Sequence, residues 1–170
     1  TQRRRQRQMC IRDRINSETL EIRSPNAVRP WQHVLDALSG YMWLIESMWY
    51  EKSSCVGAWN FGPHEASMQP VHTLVQHMVD MWEAPLKWGV SEDASMKEAH
   101  TLRLDISKAT QQLGWQPTLS FEESLYWTVD WYKSYMEDLP MQAITQLQIQ
   151  EYLSRVMAVS YTHLRAHETV

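Results

Sequence analysis

An α/β fold, rich in helix and with short strands, is predicted by three observations. Segments with helical apolar spacing alternate along the 170 residues with brief β-like runs, the pattern of helices laid on a sheet. Apolar types make up 44% and charged types 21%, a globular balance and not a disordered one. Glycine is scarce, five in all, and no apolar run approaches the ~18 residues that suggest a membrane span. Two cysteines cannot build a disulfide framework, so a reducing, cytoplasmic compartment is expected.

The elements follow in chain order. Leu20 to Arg23 alternates briefly and halts at Ser24-Pro25, as a short strand does. Leu35, Leu38, Met42, Ile45 and Trp49 keep helical spacing as far as Tyr50. Ala58 to Phe61 reads as a short apolar strand closed by the Gly62-Pro63 turn signal. Val71, Leu74, Val75, Met78 and Trp82 predict a second helix, and 86–90 and 101–105 are further strand candidates. Ser107 to Leu113 makes a short helix with Asp105 as its N-cap, Lys108 solvated in its first turn, and Gly114 able to take the positive φ that closes it. The clearest helix runs from Phe121 to about Tyr135, because Ser120 and Glu123 form a capping box. Thr145 and Gln148 predict a second box ahead of a helix over 147–156.

The two ends read as foreign. Residues 1–14, TQRRRQRQMCIRDR, look like a basic nucleic-acid arm, and His163 and His167 in the tail have the i,i+4 spacing of zinc ligands. The genetic code argues against both. Met9 to Asp13 can be encoded by ATG TGT ATA AGA GAC, whose reverse complement encodes Val159 to His163. One inverted DNA repeat therefore accounts for both termini, which also resemble a translated sequencing adaptor. Residues 1–14 and 158–170 are expected to be disordered scars and are set aside from the fold.

Setting them aside changes the charge. The whole chain has 16 Lys+Arg and 20 Asp+Glu. Without the six Arg and one Asp of 1–14 and the one Arg and one Glu of 158–170, 9 basic and 18 acidic groups remain. An acidic body repels phosphate polymers, so no nucleic-acid partner and no membrane partner is expected. Residues 15–157 begin without Met and read as a piece of a longer chain. Cys55, the one remaining thiol, reads as structural.

The residues supply little self-contained chemistry. The glycines at 40, 57, 62, 89 and 114 are too far apart for a dinucleotide-binding turn, and neither a P-loop nor a Tyr-x-x-x-Lys pair is present. His72 and His77, five apart on a helix, point to different faces, so no metal site is expected. Arg29, followed by Pro30-Trp31-Gln32-His33 and a helix, is placed to recognise phosphate through both arms of its guanidinium, or to pair with a neighbouring carboxylate. The tryptophans fall mostly at packing positions.

Several blocks carry a resemblance. RSPNAVRPWQHVLDALSGY (23–41), WNFGP (59–63), Glu98-Ala99-His100, LDISKA (104–109), LGWQP (113–117) and TVDWY (128–132) are similar, in order and spacing, to CDP-glucose 4,6-dehydratases. The first two blocks are fairly specific to that branch, whereas SKA and LGWxP are shared across the extended short-chain dehydrogenase superfamily. The resemblance implies that residues 15–157 are the C-terminal, mainly substrate-binding portion of a Rossmann-type enzyme. Its missing N-terminal domain would hold NAD and the catalytic Tyr and Lys. In that family NAD oxidises C4 of the glucose, water leaves across C5–C6, and hydride returns to C6.

The implied enzyme is a homo-oligomer serving deoxysugar synthesis for surface polysaccharide, and the segment alone would be inactive. By the same resemblance Arg29 grips the sugar-nucleotide pyrophosphate, and His33 and His100 match family positions, where a hydrogen-bonded structural histidine is the commoner outcome. Glu98 would accept ribose hydroxyls, or remain a solvated loop acid. Asn60 would donate to a phosphate, or cap its turn. Ser95-Met96-Lys97 departs from the family's usual His-Pro-His. Two alternatives stay open: another sugar-nucleotide dehydratase or epimerase, and a non-catalytic helical interaction module.

Overall fold

A computed structural model describes residues 20–50, 55–82, 87–90 and 99–167, with side chains described as far as 157. The expectation for 1–14 lies outside the described residues, and so do the side chains of 158–170. The elements are β1 (Leu20–Ile22), β2 (Val28–Pro30), α1 (Val34–Tyr50), a 3₁₀ turn at Glu65–Ser67, β3 (Met68–Pro70), α2 (Val71–Trp82), β4 (Trp88–Val90), α3 (Ser107–Leu113), α4 (Phe121–Met136) and α5 (Met141–His167). The predicted helix-rich α/β character with short strands is present.

The chain divides into two compact units: 1–29 with 69–102, and 30–68 with 103–170. In the first, β1 pairs with β4 in parallel, Leu20 opposite Trp88 and Ile22 opposite Val90. Alternation puts Leu20 and Ile22 on one face, where Val71, Val75 and Val79 of α2 and Trp88 pack on them. Those valines are spaced i, i+4, i+8, which is why this stretch folds as a helix over two short strands.

The second unit holds two apolar clusters. Phe61, Ala109 and Trp115 gather Trp43, Trp59, Ile106 and Leu113. Leu119, Trp127 and Tyr152 gather Leu35 and Val156. Helix α4 starts where predicted: the Glu123 N–H donates to Ser120 Oγ at 3.2 Å and the Ser120 N–H to Glu123 Oε2 at 2.9 Å. Gly114 closes α3 at φ 67°, a left-handed turn that a side chain would oppose. Arg155 of α5 reaches Glu123 at 2.7 Å and Glu151 at 3.0 Å, and its guanidinium lies 5.1 Å above the Trp127 ring.

Six local expectations change. The residues at 58–61 form no strand, and of 101–105 only Thr101 makes a bridge, parallel to Val28. Helix α5 begins at Met141, not near 147, because Pro140 sets its first turn and its carbonyl accepts from Ala143 and Ile144. The predicted second box is therefore mid-helix: Thr145 Oγ1 accepts from Trp131 Nε1, and Gln148 Nε2 donates to the Trp127 carbonyl. Asp105 sits one residue before the true N-cap, Ile106, although its carboxylate still takes the Ser107 N–H at 2.8 Å. Lys108 is not simply solvated: its Nζ donates to the Ala58 carbonyl and lies 4.0 Å over the Trp59 ring.

The largest departure is α1. Spacing of this kind normally turns the apolar stripe to the core, yet Leu38, Met42, Ile45 and Trp49 are exposed and the helix buries Asp36 and Gly40 instead. A Cβ at Gly40 would lie 2.3 Å from the Phe61 ring, so only glycine permits this approach.

Candidate functional site

Arg29 lies on β2 in the first unit, half-buried. Its Nη1 donates to the Val28 carbonyl and to the Ala99 carbonyl, each at 2.9 Å. The 99–102 segment is stitched beside β2: the Val28 N–H donates to the His100 carbonyl at 2.8 Å, and the Leu102 N–H to the Val28 carbonyl at 3.1 Å. The structure thus brings Arg29 and His100 together, through a backbone ladder that sequence spacing alone did not reveal. His100 is exposed, and Glu98 lies outside the described residues. Two carbonyls on one nitrogen fix the guanidinium's plane, which lowers the rotamer entropy lost when such a group meets a ligand.

The other two predicted site residues lie in the second unit. Asn60 is exposed and its Nδ2 donates to the Asp105 carbonyl at 3.2 Å, the turn-bridging alternative. The Ser107 hydroxyl, and then its N–H, hold the Asp105 carboxyl below the usual carboxylate range. His33 is buried: Nδ1 accepts the Leu35 N–H at 3.3 Å, and the ring stands edge-on to Trp127 at 5.8 Å. Burial pushes its pKa below the ordinary histidine value, so it is a neutral acceptor at the start of α1. His72 and His77 each place Nδ1 against a backbone carbonyl, Pro25 at 3.0 Å and Thr73 at 2.9 Å.

Sequence reasoning missed a polar node in the second unit. Asp36, 1% exposed, accepts the Thr118 N–H at 2.7 Å, the Leu119 N–H at 3.3 Å and the Tyr152 hydroxyl at 2.8 Å. Ser39 donates to the Asp36 carbonyl and accepts from Trp115 Nε1 at 3.0 Å. Burial raises the Asp36 carboxyl above its ordinary range, against the pull of the Thr118 N–H, the Tyr152 hydroxyl and the Leu119 N–H. Burial likewise pushes the Tyr152 phenol up to about 12. With both carboxylate oxygens of Asp36 accepting from the fold, this node ties α1, the 118–119 turn and α5 together. It is structural chemistry, not a reaction centre. The one signal in the sequence was Asp36, an acidic residue in the first turn of a largely apolar helix.

Among the described residues no group of three or more His, Cys, Asp or Glu could hold a metal. No described helix is long and apolar enough to cross a membrane. The glycines do not form a pyrophosphate cradle. Gly62 serves packing, since a Cβ there would come 2.9 Å from Leu104 Cβ, and at Gly57, with φ 118°, a Cβ would meet the Lys108 ammonium. The described residues therefore do not fit a bound dinucleotide.

No family model matches the chain. It is 35% identical over 144 residues to the CDP-glucose 4,6-dehydratase of Salmonella typhimurium, a stretch that is 85% of this chain and 40% of that protein. This chain is a relative of CDP-glucose 4,6-dehydratase. It spans less than half the length of the curated relative it matches.

Solved structures agree on the fold. The UDP-glucuronic acid 4-epimerase of Bacillus cereus, in complex with UDP-glucuronic acid and NAD, superposes with a TM-score of 0.62 at 20% identity, over 74% of this chain and 38% of that one. The UDP-glucose 4-epimerase of Thermotoga maritima, with UDP-glucose, gives 0.57 at 19% identity, over 75% and 39%. The fold is that of a portion of the extended short-chain dehydrogenases, as the CDP-glucose 4,6-dehydratase resemblance implied.

Proposed function

We propose that this chain is the sugar-nucleotide-binding portion of a cytoplasmic CDP-glucose 4,6-dehydratase. The whole enzyme converts CDP-glucose to CDP-4-keto-6-deoxyglucose with loss of one water, serving deoxysugar synthesis for surface polysaccharide. The observation that carries this reading is the 35% identity over 144 residues, which includes the RPWQHVL and WNFGP blocks. NAD belongs to the remainder of the longer enzyme and supplies the hydride chemistry there. The segment alone is inactive.

Within this portion, Arg29 holds the pyrophosphate. Its guanidinium is oriented by the Val28 and Ala99 carbonyls, and a planar fork suits two adjacent phosphates. His100 stands beside it on the same ladder, and Glu98, one residue before Ala99 in sequence, contributes a carboxylate for ribose hydroxyls. His33 and Asn60 serve the fold of the second unit, where each is hydrogen-bonded to the chain.

The test is competition among CDP, UDP, TDP and GDP on the intact enzyme carrying this segment. CDP is expected to bind most tightly, and Arg29→Ala to weaken it by about 2–5 kcal/mol, roughly 30-fold or more. Tighter binding of UDP or TDP would assign the segment to a sister enzyme.

A further inference from the structure

We infer that a cavity in the second unit, lined by the start of α1 and by α4 and α5, is a small-molecule site. Its ligand is a neutral aromatic ring that bears a carbonyl. The cavity measures about 310 Å³, and its wall is mostly apolar with a few polar groups, the usual make-up of a ligand pocket. All of its lining residues belong to the second unit, and neither Arg29 nor His100 is among them.

Two donors on consecutive residues carry the inference. Gln32 lines the cavity, and its Nε2 is buried with no hydrogen-bond partner among the described residues. A buried donor left unpaired is costly, and folded chains seldom keep one without a reason. The last torsion of a glutamine is broad, so the amide can turn its N–H toward an acceptor in the cavity. His33, 8% exposed, lines the same cavity. Its Nδ1 accepts the Leu35 N–H, so the proton of the neutral ring sits on Nε2, which has no partner among the described residues. Three other polar side chains of the wall are engaged within the fold. Thr128 Oγ1 donates to the Ser124 carbonyl at 2.7 Å, Trp131 Nε1 to Thr145 Oγ1 at 2.9 Å, and Gln148 Nε2 to the Trp127 carbonyl at 3.0 Å.

The ligand class follows from that wall. Two unused N–H donors call for an acceptor, and one carbonyl oxygen has a lone pair for each. No lining residue carries a charge, since burial keeps His33 neutral. A carboxylate would lose its hydration there without meeting a counter-charge, so the neutral carbonyl is favoured. Trp131 and Tyr132, whose rings meet edge-on at 5.2 Å, form the aromatic side of the wall, with Leu35 and Ile149 on its aliphatic side. Such walls take a planar ring, stacked or edge-on. The volume is about twice the ~150 Å³ that admits benzene, which leaves room for the polar substituent.

The test titrates this chain, isotope-labelled, with benzamide, benzoate and toluene, and follows its backbone and indole N–H resonances. Benzamide is expected to bind with a Kd of about 1 mM or below and about tenfold tighter than benzoate. Its shifts should be confined to 32–35, 128–132 and 145–149, with the Trp131 indole among them. Gln32→Leu keeps the volume and removes one donor, so benzamide should weaken about fivefold while toluene is unchanged. His33→Asn keeps an oxygen to accept the Leu35 N–H, as an N-cap does, and removes the other donor, with the same result expected. Thermal melting tests for a structural role. Relieved of an unpaired donor, Gln32→Leu should melt no lower than the parent.

No benzamide shifts at about 10 mM, or shifts centred on 42–49 instead, overturn the site. Equal losses of benzamide and toluene in Gln32→Leu do the same, because the amide would then shape the wall without meeting an acceptor. A melting temperature clearly below the parent's would place that amide in a bond within the fold and overturn it too. Benzoate binding as tightly as benzamide overturns the neutral class. The outcome is independent of the dehydratase reading, which concerns CDP and Arg29.

Discussion

Helices α1 and α4 have similar apolar spacing and opposite fates. On α4, Phe121, Leu125 and Val129 are buried and the capping box closes the first turn. On α1 the comparable stripe lies open, while the helix is held from its other side by a carboxylate, a serine and a glycine. A period in the sequence shows that a helix has a face to cover. Which face is covered in a given chain depends on what lies beside it, and on α1 a few directional bonds decide the matter.

That contrast can be broken at its strongest point first. Asp36→Ala removes the acceptor of the Thr118 N–H, the Leu119 N–H and the Tyr152 hydroxyl together. At ~1–3 kcal/mol per buried donor left unpaired, a loss of about 3–5 kcal/mol is expected in urea unfolding. A loss under about 1 kcal/mol would mean that α1 is not anchored by this node. Leu125→Ala on α4 should cost about 2–5 kcal/mol by the same measurement, the ordinary range for a truncated core leucine.

Smaller effects sharpen the comparison. Ser120→Ala deletes one arm of the capping box and should lower stability by about 1 kcal/mol. His33 gives a pH signature at the start of α1. Its folded pKa lies below its unfolded value of ~6.5, so the folded state binds fewer protons. Its contribution is complete above that unfolded value and is lost as pH falls from there through the folded pKa. The slope of stability against pH in that window should flatten in His33→Gln. Least affected should be Ile45→Ala, on the open stripe, within about 0.5 kcal/mol of the parent. A cost comparable to Leu125→Ala would show that the stripe is already covered in solution.

Local signals were legible. Ser120 with Glu123, Gly114 after Leu113, and the helical period from Val71 to Trp82 each specify their own neighbourhood, and each is found where the sequence placed it. Non-local ones were not. The start of α5 was misplaced because Thr145 and Gln148 imitate a box, while their side chains are engaged by Trp131 and the Trp127 carbonyl of another helix. The apolar run at 58–61 marks a segment able to pair, and pairing needs a neighbour that local composition does not supply.

The candidate site divides the same way. Arg29 could be chosen from its sequence neighbours, but its association with the 99–102 segment depends on a ladder between residues some seventy positions apart. The Asp36 node spans more than a hundred positions to Tyr152, and its one local cue, a carboxylate in the first turn of α1, does not name its partners.

The contact between Gly40 and Phe61 has a mechanical consequence. With no clearance above the ring, α1 has no freedom to roll about its own axis, because the next residue to come round would drive a side chain into the phenyl plane. The choice of stripe left outward is thereby fixed like a key in a slot, and it survives whether or not anything arrives to meet it.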